Sequence, residues 1–428
     1  MLTRLATTQL RRLDRAEEGQ ALVLGALALV VLVLMAGLGV DVGYLRYEKL
    51  QMQKAADAGA LAGASELIYG TSGLAMVAAK NDTKANGFTD GNNGVTVTVN
   101  IPPASGPWAG NSSYVEVIVA QAEPTFFMRV GGFNTVNVSS RAVASSIASS
   151  DACIYALDPT DSGSLVVQGR VDVNSNCGIR VNSSSASAFE KRGSGDITVS
   201  PQVAGIGIVG DISQGGSGTI DPTPVTGIPG FGDPLANVPA PTPGQCYGDG
   251  QQLVINKPNQ TVQQGTYCGG IAINGVIGPV TFTPNSTFIL MGGGLTVTGG
   301  QPILIGNGVT FYNTANAGNA YAPIVLTGAA GTNLSAPTSG SLEGILFFQD
   351  RGIVSNAIST FDASHEELYA GALYFPTTPV KYTGSKSFPP YTIIDAWKIM
   401  MVGTNAINNV YTSLSSGASP IRSAELVE

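Results

Sequence analysis

Histidine is all but missing from this chain: His365 is the single one in 428 residues. A His-based metal centre has no ligand set, and a Ser-His-Asp relay would have to run through that one side chain. Its context, DASHEEL, reads as a solvated loop. Charge is scarce as well, with 12% charged residues and a net charge of −8 spread thinly, so no nucleic-acid partner is expected. The chain also lacks a G-x-S-x-G elbow, and MGGGLTVTGG (291–300) lacks the lysine of a phosphate-binding loop, so tight turns account for its glycines. Asp172, Asn174 and Asn176 have the opening spacing of a calcium loop, but Cys177 stands where the glycine should be and no closing glutamate follows. Carboxylates that could serve a glycan hydrolase or lyase, such as Asp362, Glu366 and Glu367, are sparse and do not recur at a regular step. No catalytic residue, cofactor or metal site is assigned, and the chain is read as a non-enzyme.

What is plentiful is glycine (55), proline (24) and apolar residues (43%), a share that excludes a disordered chain. From Gly19 to Val40 run 22 residues without a charge, longer than a secretory signal core and enough to cross a bilayer as helix. Gly19, Gln20, Leu22, Leu32 and Val40 mark this membrane anchor, which Asp41 closes. Arg4, Arg11, Arg12 and Arg15 precede it, and Arg46, Lys49 and Lys54 follow, a slight bias toward a cytoplasmic N-terminus and a body outside the cytoplasm. Four cysteines fall into two pairs, Cys153 with Cys177 and Cys246 with Cys268. Disulfides between these partners are the economical pairing among the three that four cysteines allow, and they fit an oxidising compartment.

Beyond Asp41 the sequence YLRYEKLQMQKAADAGALAGASEL has no proline and many strong helix formers, so the helix is expected to continue to about Ile68 as a stalk. Its outer half is small-sided. Ala55, Ala56, Asp57, Gly59 and Gly63 carry a close-packing face, with Gly59 and Gly63 in small-xxx-small spacing, for which the chain's own domain and other subunits are alternative occupants. Asp41 is read as solvated at the membrane surface, with a charge contact to a neighbouring subunit as the alternative.

The segment EGQALVLGALALVVLVLMAGLGVDVGYLRYEKLQMQKAADAGALAGA resembles the N-terminal segment of Flp (Tad) pilus-assembly proteins of the TadG-like kind. The likeness lies in the Gly-Gln start, the apolar helix, the D-x-G at its outer end, a Leu-Gln pair and the A-A-D-A-x-A-L-A-G-A block. The section from NGFTDGNNGVTVTVNIPP to NVSSRAVA also resembles the domain that follows in many of them. The resemblance implies a bacterial inner-membrane protein with its bulk in the periplasm, serving assembly or anchoring of a fibre with other pilus-machinery subunits. Two departures limit it. Leu24 stands where a prepilin has glutamate five residues after Gly19, and neither DISQG at Asp211 nor DASHE at Asp362 completes the D-x-S-x-S metal site of a von Willebrand A domain.

After the stalk, a short helix, strands at Val95–Val99 and Tyr114–Val119, a short helix opening with Pro124 and a strand at VNVSSRAVA predict a small α+β domain over 70–150. From 151 to 428 the chain turns into short strands. In one stretch apolar triplets start at Ile271, Val280, Phe288, Leu295, Ile303 and Val309, steps of 9, 8, 7, 8 and 6. Varying gaps and few Asn-Gly turns favour a β-solenoid (β-helix) with about three strands per turn over an antiparallel β-sandwich. Seven prolines in the 24 residues 221–244 predict an excursion with no ladder, laid across the surface or joining two halves. The domain order is thus 1–18 cytoplasmic, 19–69 membrane and stalk helix, 70–150 α+β, and 151–428 β-rich. The expected role is a non-catalytic, inner-membrane component of a Tad/Flp pilus system. The alternative is a surface-displayed adhesin or carbohydrate-binding protein, using Trp108, Tyr374 and Trp397 as a stacking platform for a glycan ligand.

Overall fold

A computed structural model describes residues 2–68, 70–149, 152–169, 172–200, 205–329, 331–362, 366–384, 390–415 and 417–428. They group into two compact units, 1–148 with 424–428, and 149–423. The C-terminal stretch 424–428, read from sequence as the end of the β-rich body, therefore groups with the first unit.

In the first unit a single helix, α1 (Leu2–Leu67), takes in the segment expected to precede the anchor, the anchor and the stalk. No proline interrupts its i to i−4 ladder. Helix α2 (Ser72–Ala85) is capped by Thr71, whose hydroxyl accepts from Leu74 N at 3.4 Å. Strands β1 (Thr96–Asn100), β2 (Tyr114–Pro124) and β3 (Thr135–Ser149) form an antiparallel meander, with Val97 opposite Val119 and Val117 opposite Ala142. Alternation puts Val115, Val117 and Val119 in a core with Met52, Ala55, Ala56, Ala60 and Ala64 of α1 and Ala79 of α2. The helix expected to open with Pro124 is instead a single 3-10 turn, Met128–Gly131. Pro124 ends β2, pairing with Thr135 on the last rung of the ladder, where its missing N–H interrupts nothing further along. A fourth strand, Arg422–Leu426, lies beside β3.

The second unit is mostly β. Among the described residues its strand pairings are parallel, apart from isolated bridges at Asn316–Asn319 and Tyr391–Asn409, which rules out the antiparallel sandwich. From 253 to 314 each strand pairs with the third one after it: Ile271 with Leu295, Val280 with Leu304, Phe288 with Phe311. The apolar starts read from sequence are these strands. In-register pairing stacks like on like, so the rings of Phe288, Phe311 and Phe347 follow one another at 5.3 and 5.0 Å in the core. Gly293, at φ +68°, shows why the MGGG turn is glycine. A Cβ there would lie 1.8 Å from the Gly269 carbonyl oxygen of the adjacent turn.

The chain does not climb this stack from one end to the other. Strands β4 (Ala152–Ala156), β5 (Leu165–Gly169) and β6 (Val173–Ser175) pair on one side with the strands that follow them and on the other with strands near the end of the unit. Ile154 pairs with Ile394, Leu165 with Ile399 and Val173 with Asn405. Residues 152–226 thus run outward from a central seam, and residues 253–407 start at the far end and return to it. One sheet holds ten strands, so the stack is roughly 43 Å long at about 4.8 Å per strand. Residues 227–252 carry the chain from one end to the other, which extended backbone at about 3.3 Å per residue spans easily.

The proline-rich excursion thus joins two halves, and the expectation that it would carry no ladder needs correction. Val225 and Thr226 pair with Gly207 and Ile208. Both lie between prolines 224 and 229 and keep their own N–H groups. Leu235 and Val238, further along, are buried. Both disulfides form as paired from sequence, with Cα–Cα distances of 5.7 Å for Cys153–Cys177 and 5.5 Å for Cys246–Cys268, each joining neighbouring parallel segments.

Candidate membrane anchor and packing face

From Leu22 to Ala36 of α1 the apolar run has no protein cover. Leu22 is 75% exposed, Leu32 66% and Val40 53%, while Gly19 and Gln20 lie on the same helix. Exposure of this many large aliphatic side chains in water would be costly at roughly 25 cal/mol per Å², and a bilayer removes the cost. Among the described residues this is the one helix long and apolar enough to cross a membrane.

Asp41, at the end of the run, is not solvated, and its partners lie within the chain. It is fully buried, and its carboxylate accepts three backbone N–H groups, from Phe126 at 2.8 Å, Phe127 at 2.9 Å and Met128 at 2.6 Å. It therefore caps the 3-10 turn, a common use of a carboxylate at a helical N-terminus. Two further bonds tie the stalk to the sheet: Tyr44 donates to Glu123 at 2.9 Å, and Ser140 donates to the Lys49 carbonyl at 3.0 Å.

The small-sided face has an occupant within the chain. A Cβ on Gly59 would lie 2.6 Å from Thr83 Cγ2 and 3.0 Å from the Ala79 carbonyl. One on Gly63 would lie 2.9 Å from Val115 Cγ1 and 3.2 Å from the Ala75 carbonyl. Ala55 and Ala56 are fully buried beside them. Of the two occupants expected, α2 and β2 fill the face, so Gly59 and Gly63 are not free to meet other subunits. Asp57, at the edge, accepts from Gln53 Nε2 at 2.7 Å, one helical turn away.

The proposed glycan platform does not come together. Tyr374 is fully buried, Trp397 is half-buried in the second unit, and Trp108 stacks on Tyr114 at 4.5 Å in the first. Asp172 accepts from Asp196 N at 3.0 Å, and Asn176 donates to Asn408 at 3.1 Å, so both serve turns between strands. No cluster of three or more metal-ligating side chains occurs among the described residues. His365 and the side chains of Glu366 and Glu367 lie outside them.

A buried polar cluster on the second unit escaped the sequence reading. Tyr374 donates to Asp233 at 2.5 Å. Arg351 donates to Tyr374 Oη at 2.6 Å and to the carbonyls of Leu235 and Val238 at 2.6 and 3.0 Å, with its guanidinium over the rings of Phe348 and Tyr374. Asp395 is fully buried, and no N–H or hydroxyl reaches either of its oxygens. Burial, and then the neighbouring Asp233 carboxylate, push the Asp395 carboxyl well above the ordinary range, which favours its neutral form. Burial also raises Asp233. The cluster fastens the 227–252 crossing to the strands beneath it. Only the proline density of the crossing was visible beforehand, because its partners stand more than a hundred residues away.

Comparison with known proteins singles out the same segment: residues 19–66 match the family described as "Putative Flp pilus-assembly TadE/G-like". The match covers the membrane-spanning stretch and the stalk to within one residue of the end of α1. No curated protein and no solved structure matches the chain.

Proposed function

We propose that this protein, which carries a TadE/G-like segment and an N-terminal apolar helix suited to a membrane anchor, is a non-catalytic component of a Tad/Flp-type pilus assembly system. Its anchor spans the inner membrane once, and both folded units stand on the periplasmic side. The second unit is a β-solenoid in this reading, supported by parallel partners three strands apart, and acts as a spacer or contact surface for other pilus-machinery subunits. One observation carries the proposal: the residues that match the pilus-assembly family are the residues of one continuous helix, apolar and exposed from Leu22 to Ala36 and built into a domain core toward its end. A displayed adhesin gains no support, because the aromatic residues offered for it are spread over two units and Tyr374 is core.

The test is a count of surface fibres, by electron microscopy and by shearing, in cells lacking the gene. Fibres should disappear, return with the wild-type chain, and stay absent with a Leu29→Arg, Leu32→Arg variant, whose anchor cannot enter the bilayer. Normal fibres in the deletion strain would overturn the reading.

A further inference from the structure

The 3-10 turn held by Asp41 is tipped with large apolar side chains that the first unit leaves exposed. Phe126 is 50% exposed, Phe127 44%, Val130 79% and Phe133 62%. They do not sit on a loose loop. Thr125 N donates to Asn134 O at 3.1 Å, Thr125 Oγ1 donates to Phe133 O, and Arg129 Nε donates to Thr125 O at 2.9 Å, closing the base of the turn. The ring of Phe126 meets Tyr44 edge-on at 5.3 Å.

The level of the turn along α1 is decisive. Phe127 packs on Gly37, where an added Cβ would lie 2.5 Å from the ring, so the absence of a side chain at 37 is what admits it. Gly37 lies four residues inside Asp41, about 6 Å deeper along the helix, within the uncharged run. Leu34, Met35 and Leu38 in the same stretch are exposed, so the apolar surface of the anchor continues onto the turn. Backbone N–H groups at that depth have no water to bond to. Asp41 accepts three of them, which explains why a carboxylate is buried at the end of a membrane helix.

We propose that residues 126–133 form a second contact with the bilayer: a monotopic turn, clamped to the exit of the membrane helix, that inserts Phe126, Phe127, Val130 and Phe133 at the boundary between headgroups and acyl chains. Exposed Arg129 stands where it reaches lipid phosphate. The occupant is lipid rather than another protein, because the patch is continuous with the anchor surface and shares its level. The proposal rests on reading Gly19–Val40 as the span.

The four native cysteines are paired, so single introduced cysteines report cleanly. The full chain is reconstituted in vesicles of zwitterionic and anionic phospholipid, with an environment-sensitive fluorophore at Val130→Cys, at Phe133→Cys, at Leu32→Cys, or at Asn92→Cys on an exposed turn of the same unit. Quenching is read with lipids spin-labelled close to the headgroup or deep in the chain. The labels at 130 and 133 should lose most of their emission to the shallow quencher, the label at 32 to the deep one, and the label at 92 to neither. Quenching at 32 with none at 130 and 133 overturns the second contact and leaves the anchor standing. No quenching at any position removes both.

Discussion

The Gly59 contact makes a quantitative prediction. Gly43 and Gly59 lie on the same helix, and in an exposed helix interior Gly→Ala gains about 1 kcal/mol of helix propensity. At Gly43 nothing lies within 4 Å of an added Cβ, so that gain is kept. At Gly59 the methyl meets Thr83 Cγ2 and the Ala79 carbonyl oxygen. Thr83 cannot turn away without breaking its 2.9 Å bond to the Lys80 carbonyl. Overpacking of this kind costs about 1–3 kcal/mol, so Gly59→Ala should be less stable than Gly43→Ala by about 2 kcal/mol, roughly thirtyfold in an opening equilibrium. Amide hydrogen exchange of residues 72–85 in the full chain, in lipid nanodiscs, reads that ratio directly. Adding Thr83→Ser, which deletes the clashing methyl and keeps the hydroxyl, should recover part of the loss. Equal exchange in the Gly43→Ala and Gly59→Ala chains would show that α2 does not rest on this face.

Asp395 makes the second unit less stable as pH rises: its folded pKa lies above its unfolded one, so its stabilising contribution is complete below the ordinary carboxylate range and is lost as pH rises through the folded value. Urea midpoints of the wild type should fall more steeply with rising pH than those of Asp395→Asn, and parallel curves would contradict a raised Asp395 carboxyl. Arg351→Lys keeps the charge but cannot fork onto two carbonyls while stacked on two rings, so it should speed proteolytic cutting within 227–252, and an unchanged cleavage rate would count against the clamp. Replacing Cys153 and Cys177 by serine opens a loop with a sequence separation of 24 and should cost about 3 kcal/mol, measured as a drop in the urea midpoint under non-reducing conditions.

The parts legible in the sequence were those written in local periodicity. A proline-free run of helix formers carried α1 past the membrane, and the apolar steps between Ile271 and Val309 gave the strands with the right number per repeat. The small face of α1 was legible as a face, but not its occupant, since Thr83 and Val115 belong to elements whose docking no short-range pattern encodes. Asp41 was misjudged for the same reason. Its three donors are 85 to 87 residues away, so its own neighbourhood shows only an acid at the end of an apolar helix. The seam was hidden further still, because strands near 154–175 and 394–407 look no different from their neighbours and only the fold says that they touch.

The first unit draws its fourth strand from residues that follow the whole of the second. Val427 N donates to the Val143 carbonyl at 2.9 Å, Val143 N donates to the Glu428 carbonyl at 2.8 Å, and Arg141 pairs with both Glu116 and Glu428. The second unit is therefore an insertion, entered and left through adjacent positions of one sheet, and it imposes an order of events. While the chain is made, β3 waits with a bare edge through some 270 residues, open to pairing with another molecule until its partner strand arrives. Completion of the first unit thus certifies that everything between has already been synthesised.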